Sequence, residues 1–305
     1  MAAPLPAPSF DKSFDPEHGK AVPVLPGVVR VTAANGGPYT FTGTNSFVLG
    51  TKTLAVMDPG PDDTTHAAAL RAAIGGRRVE AIILTHTHRD HSALAHKLKA
   101  ETGAALWFAG PHRMSRAPNA IEMRLLARAA DWDLVPDRVL ADGMPFSAGD
   151  LPLVALATPG HCANHLAFGI AGSDWLFTGD HIMGWNSTLV APPDGAMGDY
   201  LTSLEKVIAA PYAHYLPAHG GPIENGPAYA RALLAHRRLR NSQIVDAVNN
   251  GARTIGALLA IIYPSLSPVL QLAARLTLQA HVEYLAERGE ISAERGWLGW
   301  RLRRV

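Results

Sequence analysis

The chain has 305 residues, of which 48% are hydrophobic and 17% are charged, and its formal net charge is +1 at pH 7. This length exceeds that of a usual single domain and the hydrophobic content allows a sizeable core, so we expect a folded protein with one large and one small unit. No apolar run approaches the roughly 20 residues that span a bilayer, so we expect no membrane-spanning segment.

The N-terminal region, residues 1–27, is rich in proline and contains acidic residues but no apolar signal-peptide core. We expect it to be a partly ordered arm. Cys162 is the only cysteine, so an intramolecular disulfide is ruled out, and a cytoplasmic setting is favoured. The simplest interpretation of this thiol is a small residue that fills a gap, and the alternative is contact with a metal or oxidation.

From residue 28 onward, apolar periodicity and cap residues predict alternating strands and helices. Residues 112–133 are a basic, helical insertion that either covers a substrate or is ordinary solvated surface. The predicted strands are 28–32, 44–49, 53–58, 79–85 and 105–110, with a hairpin turn at 34–37, and the predicted helices are 62–75, 91–103 and 198–210.

A crowd of metal-ligand side chains follows the predicted strand at 79–85: His86, His88, Asp90 and His91. If these residues packed together in a dry core, several ring nitrogens would be left unpaired, which is costly. Imidazole and carboxylate together suit Zn²⁺ and similar divalent ions. The spacing therefore predicts a metal site, in which the H-x-H step serves one ion and the D-H pair another.

Three more ligand-type residues follow short strand-like runs elsewhere in the chain. His161, Asp180 and His219 each lie beside glycine or proline, which is typical of the exit from a strand into a loop. Four strand ends that deliver such residues are improbable by chance. We therefore expect all of them to meet in one site.

These motifs, in this order, resemble those of the metallo-β-lactamase superfamily of metal-dependent hydrolases. They are NSFVL at 45–49, MDPG at 57–60, THTHRDHS at 85–92, PGH at 159–161, GD at 179–180 and AHG at 218–220. The resemblance implies an α/β fold, namely an αββα sandwich with the site along one edge of its two sheets. It covers roughly residues 28–227.

The resemblance also implies two divalent metal ions, with zinc as the first expectation, although manganese and iron accept the same ligands. A hydroxide between the ions would be the nucleophile. In this assignment His86, His88 and His161 bind the first ion, Asp90, His91 and His219 bind the second, Asp180 bridges them, and Asp58 holds the ligand loop.

Two residues are candidates for roles in catalysis beyond the ions. Asp90 would steer the attacking water, and His165 would protonate the leaving oxygen of a phosphodiester. For His165, a hydrogen bond that fixes a loop is an equally good interpretation, and the role of His181 is left open. The remaining histidines are expected to be ordinary surface or core residues: His18, His66, His96, His112, His214, His236 and His281.

Charge changes sharply at the C-terminal unit, by which we mean residues 236–305. This unit has ten arginines and five acidic residues, whereas residues 1–235 hold seventeen basic and twenty-one acidic residues. Its sequence predicts three helices and a short hairpin, the elements of a winged helix, after a catalytic domain at 28–235. Such a unit either binds nucleic acid or merely packs on the catalytic domain or on a second subunit. The candidate phosphate contacts are Arg237, Arg238, Arg240, Arg301, Arg303 and Arg304.

This domain arrangement resembles the β-lactamase-like protein 2 group, which includes an endoribonuclease. The resemblance implies cleavage of single-stranded RNA. The alternatives are a small ester, thioester or lactone substrate, or a non-catalytic nucleic-acid-binding protein, and a homodimer is left open. A true β-lactamase is disfavoured because Asp180 supplies a bridging aspartate, and a flavodiiron oxygen reductase is disfavoured because His88 stands where that group has glutamate.

Overall fold

The computed structural model describes residues 8–296 and 299–305. The first seven residues of the expected arm and two residues of the expected hairpin lie outside this part of the chain. Residues 8–27 include an additional strand, β1 (Val22–Leu25), which pairs antiparallel with the next strand. This segment was expected to belong to the partly ordered arm, and β1 lies at the edge of its sheet, where proline is tolerated.

Two mixed β-sheets form the centre of the molecule. The first sheet contains, in spatial order, β1, β2 (Val28–Thr32), β3 (Asn45–Leu49), β4 (Leu54–Met57), β5 (Val79–Ile83), β6 (Ala105–Phe108) and β7 (Arg138–Val139). The second contains β8 (Pro145–Ala148), β9 (Leu151–Ala157), β10 (Leu166–Ile170), β11 (Trp175–Gly179) and β12 (His214–Pro217), in the order β12-β11-β10-β9-β8.

The core between the sheets is built from alternate side chains of both. Phe47 and Met57 of the first sheet belong to the same buried cluster as Phe168 and Phe177 of the second. Full burial of each such side chain is worth about 1.5–3 kcal/mol. The strands of the middle, such as β4, are buried on both faces because helices cover the outer side of each sheet.

Helices α1 (Thr64–Ile74), α2 (Arg89–Ser92) and α3 (Ala95–Thr102) follow strands of the first sheet, and α1 and α3 pack on its outer face. Asp63 caps α1 by accepting a hydrogen bond from the His66 backbone N–H at 2.7 Å. The insertion contains α4 (Ala120–Leu126), and α5 (Met197–Ala209) covers the second sheet. The layers are therefore helix, sheet, sheet, helix, as the resemblance implied.

Helix α6 (Gly226–Asn249) joins the sandwich to the C-terminal unit without a break. Leu233 in its first half packs with α5, whereas Ile244 and Val248 in its second half belong to a separate cluster. That second cluster also contains side chains of α7 (Ile255–Ile262), α8 (Pro268–Glu287) and the hairpin strands β13 (Ser292–Gly296) and β14 (Gly299–Arg303). The expected boundary at residue 235 thus falls inside one helix.

Candidate metal centre

The seven predicted ligands meet at one edge of the sandwich, where β5, β9, β11 and β12 end. Backbone hydrogen bonds join the two sheets at this edge. The Leu166 N–H donates to the Thr85 carbonyl at 2.7 Å, and the Asn45 N–H donates to the Ala218 carbonyl at 2.7 Å. The loops that carry the ligands therefore start from a rigid platform.

Three imidazoles form the first group of candidate ligands. The Nδ1 atom of His88 lies 3.0 Å from Nε2 of His86 and 2.9 Å from Nε2 of His161. Side chains two residues apart lie on the same side of an extended segment, so Nε2 of His86 and Nδ1 of His88 come close together. This group is the donor set that the family resemblance implied for a first ion.

The second group consists of Asp90, His91 and His219. The Oδ2 atom of Asp90 lies 3.4 Å from Nε2 of His91 and 3.4 Å from Nε2 of His219. Asp180 stands between the two groups, with Oδ1 at 3.3 Å from Nε2 of His219 and Oδ2 at 3.5 Å from Nε2 of His161. Each oxygen of this one carboxylate faces a different group, which is the arrangement that a bridging ligand requires.

The chemistry of these atoms fits a cation. Nε2 of His91, Nε2 of His219 and Oδ1 of Asp180 are buried and have no hydrogen-bond partner within the described part of the chain. Unpaired buried polar atoms are costly. Burial opposes a charge on His219, but Asp180 and Asp90 outweigh this effect and raise its pKa to about 10. The site therefore favours a positive charge, whether a proton or a metal ion.

The nitrogen of each ligand imidazole that faces away from the ligand groups is held by a hydrogen bond. Nδ1 of His91 donates to Asp58 at 3.1 Å, Nδ1 of His161 donates to the Leu189 carbonyl at 2.7 Å, and Nδ1 of His219 donates to the Gly43 carbonyl at 3.0 Å. Asp58 has a φ of 47°, an unusual backbone conformation for a residue other than glycine, and it also accepts from Thr85. Such contacts set the ring orientation and leave the other nitrogen for the metal.

His88 has a partner that its sequence neighbours do not predict. Nε2 of this ring donates to Oδ2 of Asp194 at 2.7 Å, and Asp194 is only 4% exposed. Nε2 of His112, which was expected to be an ordinary histidine, lies 3.5 Å from Oδ1 of the same carboxylate. Asp194 lies in an irregular loop far along the chain from His88, so residue spacing carried no signal of the contact.

The position of His165 does not fit the expected proton donor. Its ring is 1% exposed, Nε2 accepts a hydrogen bond from the Asp180 backbone N–H at 3.1 Å, and Nδ1 lies 2.8 Å from Oγ1 of Thr158. Burial, followed by the nearby His181 and His161, lowers its pKa well below the ordinary value. Both nitrogens are engaged, and the contact with the Asp180 backbone fits the alternative interpretation, a hydrogen bond that fixes a loop.

Two further buried side chains lie beside the ligand groups. Cys162 is buried, and burial raises the pKa of its thiol well above the ordinary value, while its Sγ forms a possible ligand group with His88 and Asp194. His181 is also fully buried, and burial lowers its pKa to about 3. Neither residue presents an ionised group to the site.

The three arginines at the domain junction, which were expected to contact phosphates, contact other groups of the protein. Arg237 is 2% exposed and donates to the Thr188 carbonyl, so the prediction that it contacts RNA is wrong. Arg238 pairs with Glu205, and Arg240 stacks on the ring of Tyr263 at 4.4 Å. In the insertion, Arg116 binds both Glu122 and Glu283, and thereby ties residues 112–133 to α8.

The sequence profile of the Metallo-beta-lactamase superfamily matches residues 39–219. The chain belongs to this superfamily. The match contains all seven candidate ligands, and the chain is a metal-dependent hydrolase of this family. None of the helices within residues 8–296 is long and apolar enough to cross a membrane.

Similarity to individual proteins extends beyond the matched region. The chain is 27% identical to an atrochrysone carboxyl ACP thioesterase, AgnL7, from Paecilomyces divaricatus, over 98% of this chain and 92% of the relative. It is 27% identical to a beta-lactamase-like protein 2 homolog from Caenorhabditis elegans, over 72% of this chain and 70% of the relative. A crystal structure of a beta-lactamase domain protein from Burkholderia ambifaria superposes with a TM-score of 0.78 at 23% identity, covering 96% of each chain. Because the superposition covers 96% of this chain, the shared fold includes the C-terminal unit as well as the sandwich.

Proposed function

We propose that this hydrolase holds two divalent ions, with zinc as the first choice, and cleaves a thioester. The observation that carries the binuclear site is the placement of Asp180, whose two carboxylate oxygens face the two ligand groups. In the proposal His86, His88 and His161 hold one ion, Asp90, His91 and His219 hold the other, and Asp180 bridges them.

Two ions held in this way would supply a nucleophilic hydroxide at neutral pH and would polarise the oxygen of a carbonyl. The side chains of His88 and Asp90 are 15% and 30% exposed, whereas the side chain of His91 is fully buried. The site therefore opens on the side of His88 and Asp90. Asp90 is in place to orient the attacking group, and Asp58 keeps His91 in position.

The leaving group decides between substrate classes. His165, the residue expected to protonate a leaving oxygen, is buried and has both nitrogens engaged. A thiol has a pKa of about 8.5, so a thiolate departs without a proton donor. The alkoxide released from an RNA phosphodiester is a much stronger base and depends on such a donor. The geometry thus favours a thioester, and the thioesterase name of a relative that matches 98% of this chain supports the same class.

Turnover measurements on a substrate panel test this proposal. Acyl thioesters of a carrier protein, S-lactoylglutathione, a lactone, nitrocefin and single-stranded RNA would each be tested with and without chelator, after the metal content has been measured. We expect thioester hydrolysis that chelator removes. Asp180→Asn should lose most of this turnover and stay folded, whereas Asp62→Asn, which alters only an exposed ion pair with Lys97, should not. Full turnover by Asp180→Asn would refute the binuclear site.

Cleavage of single-stranded RNA is our second proposal, supported by a basic cavity in the C-terminal unit. The cavity measures about 560 Å³ and is lined by Arg253, Thr254, Arg301, Leu302, Arg303 and Arg304. Guanidinium groups bind phosphate well, and RNA held there should dissociate as salt rises. Replacement of Arg301, Arg303 and Arg304 by alanine should lower RNA affinity and leave thioester turnover unchanged. Equal RNA affinity in this variant would remove the proposal.

Four finer assignments are also proposals. We propose that the chain falls in the β-lactamase-like protein 2 group, with the C-terminal unit as a winged helix, because α6, α7, α8 and a hairpin occur in that order. A homodimer and a cytoplasmic location stay predictions. Light scattering and cell fractionation are the measurements that address them.

A further inference from the structure

Arg237 is a buried cation that has no anionic partner in the part of the chain that the structure describes. It is among the largest fully buried side chains, and no carboxylate within residues 8–296 or 299–305 forms an ion pair with it. Its guanidinium donates to the Thr188 carbonyl and lies over the ring of Tyr200 at 5.3 Å from the centroid. Burying a charged group without an opposite charge is costly, so the contacts of this guanidinium must offset a large penalty.

The loop that Arg237 contacts holds two of the proposed metal ligands. Oγ1 of Thr188 lies 2.8 Å from the Asp180 carbonyl and 2.9 Å from the His181 carbonyl, to which it donates. The carbonyl of the next residue, Leu189, accepts from Nδ1 of His161 at 2.7 Å. Two neighbouring loop residues therefore orient the bridging carboxylate and the third histidine of the first group.

Helix α6 supplies the outer support of this loop. Residues 181–196 form neither helix nor strand, so their position depends on contacts with other elements. Tyr229 donates its hydroxyl to the Met183 carbonyl at 2.8 Å, and Arg237 binds the Thr188 carbonyl two turns further along the same helix. The loop is thus fastened to α6 at two points, about 12 Å apart along the helix axis.

We propose that Arg237 is a positioning residue for the metal centre: through the Thr188 carbonyl it holds the loop that keeps Asp180 and His161 oriented toward the bridging point. The inference rests on the binuclear site proposed above. It assigns the C-terminal unit a task in assembling the metal centre, in addition to any ligand that this unit binds.

Equilibrium metal affinity tests the inference in four variants. Zn²⁺ stoichiometry and affinity would be measured by competition with a chromophoric chelator for Arg237→Met, Arg237→Lys, Thr188→Val and Thr188→Ser. Loss of an outer hydrogen bond to a ligand group typically lowers metal affinity by about 10- to 100-fold. We expect that loss in Arg237→Met and in Thr188→Val, a smaller loss in Arg237→Lys, and near-normal affinity in Thr188→Ser, which retains the hydroxyl.

Arg238→Met is the matched control because this neighbouring arginine is exposed and pairs with Glu205 at the surface. It should bind zinc like the unaltered protein. If Arg237→Met fails to fold, Arg237→Lys decides, since it keeps a buried cation and alters the contact with the Thr188 carbonyl. Unchanged zinc affinity in a folded Arg237→Met, or in Arg237→Lys where Arg237→Met is unfolded, would overturn the inference. Failure of the unaltered protein to bind two ions would instead refute the binuclear site itself.

Discussion

Replacing Asp194 should weaken metal binding although this residue is not a proposed ligand. The carboxylate is 4% exposed and accepts from Nε2 of His88 at 2.7 Å. Burial acts to raise the pKa of Asp194, but His88 and then His112 hold it below the ordinary value, so it is ionised at neutral pH. A negative charge at this position fixes the ring of His88 and makes its Nδ1 a better donor to a metal.

The two obvious substitutions remove different parts of this interaction. Asp194→Asn keeps an acceptor oxygen and loses the charge, so we expect zinc affinity to fall by about 10-fold, which is about 1.4 kcal/mol. Asp194→Ala removes the acceptor as well, and we expect a loss of about 100-fold. Asp174→Asn, at a side chain that is 57% exposed, is the control.

Competition titration with a chelator measures the affinities, and circular dichroism of the metal-free proteins checks that each variant is folded. A folded Asp194→Ala that binds both ions as tightly as the unaltered protein would show that the carboxylate does not tune His88. The same result in Asp194→Asn alone would assign the effect to the acceptor oxygen and refute the role of the charge.

Three further predictions concern stability and metal loading. Burial acts against ionisation of Glu122, but hydrogen bonds from two arginines lower its pKa to about 2. The stability that the ionised carboxylate contributes is therefore fully present above its ordinary pKa near 4.5 and is lost as pH falls toward 2. Glu122→Gln should cost about 1–3 kcal/mol in urea unfolding at pH 7 and much less at pH 2. Gly179→Ala should destabilise the protein by about 1–3 kcal/mol, because Gly179 has a φ of 51° and a Cβ there would lie 2.5 Å from Nε2 of His165. Gly172→Ala, which is also at positive φ but has open space around it, should cost less. Chelation should lower the melting temperature, since free metal at 100 times its dissociation constant contributes about 2.7 kcal/mol.

Three results would contradict these expectations. They are a Glu122→Gln penalty that is the same at both pH values, a Gly179→Ala variant as stable as Gly172→Ala, and a melting temperature that chelator leaves unchanged. The three predictions rest on separate features of the molecule, so the failure of one does not affect the other two.

Local signals allowed much of the fold to be predicted. The cap at Asp63 and the glycine at residue 75 set the ends of α1, and β2 has the bounds that its apolar pattern predicted. Strand β1 could not be predicted in the same way, because its four residues include a proline and no long apolar pattern. Its extended conformation depends on pairing with β2, a contact that the four residues themselves do not predict.

The ligand positions could be predicted because each follows a strand end, and the strand ends meet at one edge. The residues that hold the ligands could not. Asp194 and Thr188 lie in an irregular loop without periodicity, and their partners are distant along the chain. Arg237 stands in a run of arginines, a composition that normally indicates a solvated face, yet it is buried against Tyr200.

The unbroken course of α6 constrains how relatives of this protein can vary in length. The helix turns by about 100° per residue, so a single insertion between Leu233 and Ile244 would rotate everything beyond it by that angle. Ile244 and Val248 would then turn away from α7 and α8, and Arg237 or the residues after it would leave their present partners. Changes of chain length should therefore be absent from this stretch and occur instead in the turns beyond Asn249, where the phase of a helix need not be preserved.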